Sequence, residues 1–135
     1  MFVSAVLITG SASSSNRRTA EIYNPLTKAS CSLPQLPDDR YWHTQEGDLA
    51  CGGEGSQSSG TTCVKWSPVS GTWTKSHTLR QARNGHVSWA SASGVYLIGG
   101  YLSLRTSEKV KMDGSVENGF GLKYDTRYTL HFIKN

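Results

Sequence analysis

No apolar run in this 135-residue sequence approaches the roughly 18–20 residues that cross a bilayer as a helix, so no membrane partner is expected. No stretch keeps a helical period either. The apolar start, Met1 to Ile8, lacks a basic flank, and its Leu-Ile-x-Gly ending matches Leu97-Ile98-Gly99-Gly100 further on, so it reads as a strand and not as a targeting segment. Basic residues outnumber acidic ones, 14 to 10, yet they gather only at Arg17-Arg18 and Lys109-Val110-Lys111. A nucleic-acid binder concentrates charge in a stripe interleaved with aromatics, so no nucleic-acid partner is expected. Catalytic signatures are missing as well. There is no Gly-x-Ser-x-Gly elbow, and Gly52-Gly53-Glu54-Gly55 lacks the helix and lysine of a phosphate loop. The acids Asp38, Asp39, Glu46, Asp48 and Glu117 are dispersed, and neither His-x-x-x-His nor Cys-x-x-Cys occurs, so no metal is expected. The sequence assigns no catalytic residue and no cofactor, and no enzymatic activity is expected. Asn-x-Ser/Thr acceptors are absent, which removes one sign of secretion without excluding it.

What the chain does have is a repeat. Val95-Tyr96-Leu97-Ile98-Gly99-Gly100 is a short apolar run closed by two glycines, and Asp48-Leu49-Ala50-Cys51-Gly52-Gly53 and Ala5-Val6-Leu7-Ile8-Thr9-Gly10 occupy the same place in earlier units. Their steps are 42 and 47 residues. Arg40, Arg83 and Arg127 keep a second count, stepping by 43 and 44, and the aromatic-x-Pro turns at Tyr23 and Trp66 step by 43. Self-similarity at this period marks solenoids, propellers or arrays.

Each unit resolves into short strands and turns. Val87 to Ser91 alternates, Ser93-Gly94 turns, and Val95 to Ile98 returns as the buried partner of a hairpin. After the glycines come polar loops at 11–19, 54–61 and 101–106. The next strands are expected at Ala20-Glu21-Ile22-Tyr23, at Cys63-Val64-Lys65-Trp66 and at Glu108 to Met112, followed by turns rich in Pro, Asn, Asp and Gly. A last strand is plain at Thr72-Trp73-Thr74, falls at Ser30-Cys31-Ser32 in the first unit, and is weak around Phe120 in the third. The expected fold class is all-β, built of four-stranded antiparallel blades.

Gly52-Gly53, an aromatic thirteen residues on at Trp66 and a tryptophan seven further at Trp73 resemble the kelch repeat, the blade of kelch-type β-propellers. Gly10, Gly99 and Gly100 keep the glycine part of that pattern; the first and third units lack its tryptophan. The resemblance covers the whole chain as one region, 1–135, with approximate units 1–41, 42–85 and 86–127 and a further inner strand opening at 128–135. Counted as inner strand a to outer strand d, the chain supplies about three blades, with Tyr128-Thr129-Leu130-His131-Phe132-Ile133 as a last strand a. Propellers close with about four to eight blades. The chain is therefore not a closed ring by itself, and two completions are open: it is part of a longer propeller, or two copies join head to tail.

Function is expected on the face where the b–c loops and d–a segments emerge together. There the loops carry Arg17, Arg18, Tyr101 and Arg105, and the d–a segments carry Arg40, Tyr41, Trp42 and Arg83, a mix of arginine and aromatics enriched at binding hot spots. The repeated Arg40-x-x-His43 and Arg83-x-x-His86 pairs read as blade architecture, bonding between blades or to loop carbonyls, because a catalytic site is needed only once. The resulting expectation is a non-catalytic protein-interaction module whose partner is a protein or peptide segment, acidic or polar. The alternative is a secreted propeller that binds or acts on carbohydrate, without a recognisable copper site, with Tyr41, Trp42 and Tyr101 stacking on sugar. Cys51 and Cys63 sit where adjacent strands would bring them opposite each other, so a disulfide there, with Cys31 left over, and three reduced thiols are both open. The first would favour an extracellular setting with a signal peptide upstream, the second a cytoplasmic one.

Overall fold

A computed structural model describes residues 5–126 and shows an all-β chain. The first sheet is β1 (Val6–Thr9), β2 (Ala20–Asn24) and β3 (Ala29–Ser32). A short β4 (Arg40–Tyr41) follows it. The second sheet is β5 (Thr44–Glu46), β6 (Leu49–Cys51), β8 (Thr62–Ser67) and β9 (Thr72–Thr78), and between β6 and β8 lies β7 (Glu54–Gly55), which pairs with β4. The third is β10 (Val87–Ser91), β11 (Gly94–Ile98), β12 (Thr106–Val110) and β13 (Val116–Gly121). Every pairing is antiparallel between neighbours in the sheet, so the three main sheets are meanders of the blade type: one of three strands and two of four. They do not close on one another among the described residues. Arg127 and the run at 128–133 lie outside the described residues.

Two details differ from the sequence reading. The third unit's c strand lies at Thr106–Val110, two residues earlier than expected. Asp113 explains the shift: its carboxylate accepts from the Ser115 amide at 2.9 Å and fixes a turn that brings Val110 opposite Val116. The second detail is the pair β4–β7, which ties a d–a segment to a b–c loop that had looked irregular. Two residues carry no period, so nothing in the pattern announced it.

Alternation sets what each face of the second blade meets. Cys51 and Cys63, directly opposite in register, point toward the third blade and pack with Leu97 and Val110. Ala50 and Val64, one step away, point to the other side and pack under Leu36 from the first unit. Trp66 and Trp73, cross-strand partners with ring centroids 5.4 Å apart, extend that side, and the Trp73 indole donates to the Pro34 carbonyl at 2.9 Å. The two outer faces of the stack carry exposed apolar side chains among charged ones, Glu21 at one end and Lys109 and Glu117 at the other. Val6 and Ile8 lie on one end, and Trp89, Tyr96 and Phe120 form a run of ring contacts on the other.

The glycine repeat marks where blades touch. Gly52 has φ +65°, and a Cβ there would sit 2.6 Å from both the Arg83 carbonyl oxygen and the His86 ring. The neighbouring Gly53 amide donates to that same carbonyl at 2.7 Å. Gly10 meets the Arg40 carbonyl in the same way, so the step between blades is repeated backbone-to-backbone contact. Gly71 shares the backbone angle, φ +66°, in open space. Gly71→Ala is expected to cost about 1–2 kcal/mol, the left-handed penalty alone. Gly52→Ala should cost at least twice as much by urea denaturation; equal losses would show that blade contact does not explain the repeat.

Candidate functional site

Arg40 and Arg83 are fully buried, and each guanidinium gathers carbonyls from the b–c loop of the sheet that follows it. Arg40 Nη1 donates to the carbonyls of Gly52, Ser59 and Thr62 at 2.8–2.9 Å. Arg83 Nη1 does the same to Gly99 and Thr106, both at 2.9 Å. Their counterions come from different places. Asp38 lies 2.9 Å from Arg40 Nε, whereas position 81 is glutamine and Arg83 takes its acid from Glu108, 3.0 Å away on β12. The other Glu108 oxygen accepts from the backbone amides of Arg80 and Gln81, at 2.6 and 3.1 Å. Desolvation pulls both arginines below their ordinary pKa, and Asp38 and Glu108 oppose it. These two arginines are thus corrected from binding residues to internal struts: a side chain with no exposed surface and all its donors directed inward cannot reach a partner.

The paired histidines sit between blades. His43 Nε2 lies 2.8 Å from Thr9 Oγ1, whose own hydrogen goes to Gln45 Oε1 at 2.6 Å, so the imidazole donates and carries its proton on Nε2. His86 makes the corresponding contact with Thr44 at 2.8 Å. Burial first, and the nearby arginine second, lowers His43 to about 4 and His86 to about 3. His77 is likewise structural, its Nε2 donating to the Lys111 carbonyl at 2.7 Å. Among the described residues no group of His, Cys, Asp and Glu is placed to hold a metal ion, and no helix is long and apolar enough to cross a membrane.

Above these struts lies an aromatic ledge. Tyr41 meets Trp42 edge-on at 5.2 Å, and Trp42 stacks on Tyr101 at 6.3 Å with ring planes 18° apart. Arg17 covers the Tyr41 ring at 4.8 Å. Desolvation raises the Tyr41 hydroxyl above its ordinary pKa, and its hydrogen bond to the Glu54 carboxylate adds to that. So the structure does bring Arg17, Tyr41, Trp42 and Tyr101 together. Arg18 sits near the first-unit loop with Nε on the Leu36 carbonyl at 2.7 Å, and Arg105 is paired with Asp125 at 2.7 Å.

Trp42 has φ +56°, a left-handed backbone that bulky residues avoid. In the next repeat the same place, two residues after the arginine, is Gly85 with φ +57°. The blade wants glycine there, and the first copy holds an indole that is half exposed. Beside it an open groove of about 600 Å³ runs between the second and third b–c loops. Trp42, Tyr101 and Leu102 give it apolar surface, while Glu54, Ser56, Gln57 and Asn84 give it polar groups. Asn84 is 8% exposed, and its amide oxygen has no hydrogen-bond partner among the described residues. The sequence reading passed over Asn84 and Glu54; the signal was their position, one residue from Arg83 and one from the glycine pair. The groove's second loop is bracketed by a disulfide between Cys51 and Cys63, Cα atoms 4.1 Å apart, and Cys31 is free and exposed. Gly52 N–H donates to the Thr62 carbonyl at 3.0 Å, which makes Cys51 and Cys63 a non-hydrogen-bonded cross-strand pair, the closer of the two kinds.

No protein-family model and no curated protein matches this chain. Its site is read from its own geometry.

Two outcomes follow. Trp42→Gly should leave stability within about 1 kcal/mol of the parent, because relief of the left-handed strain offsets lost ring stacking; a larger drop in the urea midpoint would make Trp42 a structural residue. The histidines set a pH dependence. An unfolded histidine titrates near 6.5, so acid loads protons onto the unfolded chain that the folded one refuses. Stability is full above about pH 6.5 and falls below it, toward about 4 for His43 and about 3 for His86. Each contributes a slope of up to about 1.4 kcal/mol per pH unit in that window. His43→Gln, which keeps a donor for Thr9, should flatten the curve between pH 6.5 and 4, and an unchanged slope would refute the assignment.

Proposed function

We propose that the chain is a kelch-type propeller segment that acts as a non-catalytic binding module, holding a segment of a partner protein on the face formed by the b–c loops and d–a segments. The observation that carries this reading is Trp42: a strained, half-exposed indole set where the repeat otherwise places glycine. The scaffold needs the left-handed angle, as Gly85 shows, but not an indole in it, and strain borne by a bulky residue points to use of its side chain. The surroundings support recognition over chemistry. Arg40 and Arg83 hold the loops from beneath, β4–β7 ties the ledge to its loop, and Tyr41, Trp42 and Tyr101 are large, rigid contacts that lose little entropy on binding. With Arg40 and Arg83 withdrawn and Arg105 paired with Asp125, the face offers less free positive charge than its composition promised, which favours a polar partner segment over a strongly acidic one. The outer end faces fit the company of further blades, from a second copy or from the rest of a longer chain.

One observation favours the carbohydrate-binding alternative. The Cys51–Cys63 disulfide is a bond of oxidising compartments, where glycans are abundant.

The test is selection of displayed peptides against the chain, followed by binding of the enriched sequences to Trp42→Gly and Arg17→Glu variants. Loss of at least tenfold in affinity in Trp42→Gly is expected. Enriched peptides that bind both variants as well as the parent would place recognition elsewhere and remove this reading.

A further inference from the structure

We propose that the partner segment anchors in the groove through a cationic side chain, a lysine or an arginine, whose stem lies on Trp42 and whose charge meets the Glu54 carboxylate. The inference rests on the reading of the loop face as a surface for a partner segment, and it names the residue class that this surface selects.

Glu54 is a carboxylate without a counterion. The β4–β7 pair sets it opposite Tyr41, whose hydroxyl donates to it, so its place is fixed. That bond uses one of about four lone-pair sites on a carboxylate and leaves room for more donors. Basic residues outnumber acidic ones, 14 to 10, and Asp38, Asp48, Glu108 and Asp125 are each paired with one. Glu54 bridges to no lysine or arginine among the described residues, is exposed, and lines the groove.

The groove holds no cation of its own. Arg17 lies on the Tyr41 ring at 4.8 Å, outside the lining, and Arg83 is turned inward to Glu108 and Gly99. An acidic side chain entering there meets repulsion. An apolar one strips water from Glu54 and replaces it with nothing, which costs free energy. A lysine or arginine avoids both penalties. Its methylene stem covers the exposed apolar surface of Trp42, Tyr101 and Leu102 while its charged end reaches on to the carboxylate. Indole is the best cation–π acceptor among the side chains, so the ring attracts the same charge that Glu54 does. Gln57, exposed on the same loop, adds an amide oxygen for a further N–H.

Position in the repeat separates both groups from the scaffold. Two residues beyond the first glycine of each unit stand Ala12, Glu54 and Tyr101, three unlike side chains at one place. The blade demands none of them. Trp42 likewise stands where the next unit has Gly85. The carboxylate and the ring are thus both departures from the repeat, and they come together at one joint, Glu54 within the β4–β7 pair and Trp42 next to it.

Peptides enriched by display on the parent chain, disulfide intact, supply the probe. Each lysine and arginine of the tightest binder is replaced by glutamine in turn, and affinity for the parent, Glu54→Gln and Trp42→Gly chains is read by fluorescence anisotropy. Replacing one cationic position should weaken binding about fivefold or more. Glu54→Gln should cost a similar factor, and the two changes together little more than either, which shows that the groups act on each other. Glutamine keeps an acceptor for the Tyr41 hydroxyl, and the peptide changes leave the protein untouched, so loss of fold cannot imitate the result. Enriched peptides that lack lysine and arginine, that tolerate replacement of every one, or that bind Glu54→Gln as well as the parent overturn the inference. If those peptides still lose affinity in Trp42→Gly, the binding-face reading stands without it. If Trp42→Gly binds every enriched peptide as well as the parent does, or no peptide is enriched, both readings fall.

Discussion

The structure depends on a buried guanidinium meeting the carbonyls that a strand abandons when it ends in left-handed glycine. At Gly52 the chain turns out of the ladder and its carbonyl faces inward, beside those of Ser59 and Thr62, which each accept one backbone N–H and keep a second lone pair to fill. Buried acceptors left bare would cost a desolvation penalty each. Arg40 answers all three with one planar donor set, and Arg83 repeats the device one blade on. An isolated buried charge would itself be prohibitive, so each arginine needs an acid in reach. The repeat supplies that acid by two routes, from the d–a segment as Asp38 and from the facing strand as Glu108. What this gains is position more than stability, because buried ion pairs roughly break even against apolar packing. The loops above are held to the blade, and a ledge mounted on held loops can recognise shape.

Much of this was legible because repeats report on themselves. A feature seen once is ambiguous, but Gly-Gly, Arg-x-x-His and the aromatic-x-Pro turn recur together, and recurrence separates scaffold from site. That argument placed the histidines correctly between blades. It stopped short at Arg40 and Arg83, which looked at once like architecture and like a basic binding face. Burial decided between them, and burial is not a property of a residue type. Glu108 was hidden for a related reason. It stands where the previous unit has Val64, so a charge at an inward strand position was the available clue, and only the geometry tells which arginine it serves. The short β4–β7 pair had no clue at all, since two residues cannot show a period.

Departures from the repeat proved more informative than the repeat. Trp42 and Gly85 occupy one structural position with nearly one backbone angle, φ +56° and +57°. Glycine there carries no strain; tryptophan there carries left-handed strain that its ring contacts with Tyr41 and Tyr101 offset. Tyr41 and Asn84 differ at the position just before, one an aromatic on the ledge, the other an amide in the groove lining. Substitutions at a conserved geometry, where one copy keeps the architectural residue and the other takes on strain, separate what holds the blade from what the blade holds out.

The outer ends of the stack bear little on this site. Val6 and Ile8 at one end and Trp89, Tyr96 and Phe120 at the other face away from the second blade, and whatever covers them lies beyond the three sheets described. The groove does not. Its walls are the b–c loops of the second and third blades, its floor is the segment joining them, and its ledge begins at the segment entering the second. All of these are fixed by bonds within 40–126: Gly53 to Arg83, Gly85 to Trp42, Tyr101 to Asn84. Ring closure would change the neighbours of the outer sheets and leave those bonds as they are. The proposed recognition at this face would therefore need only two adjacent sheets and the joint between them.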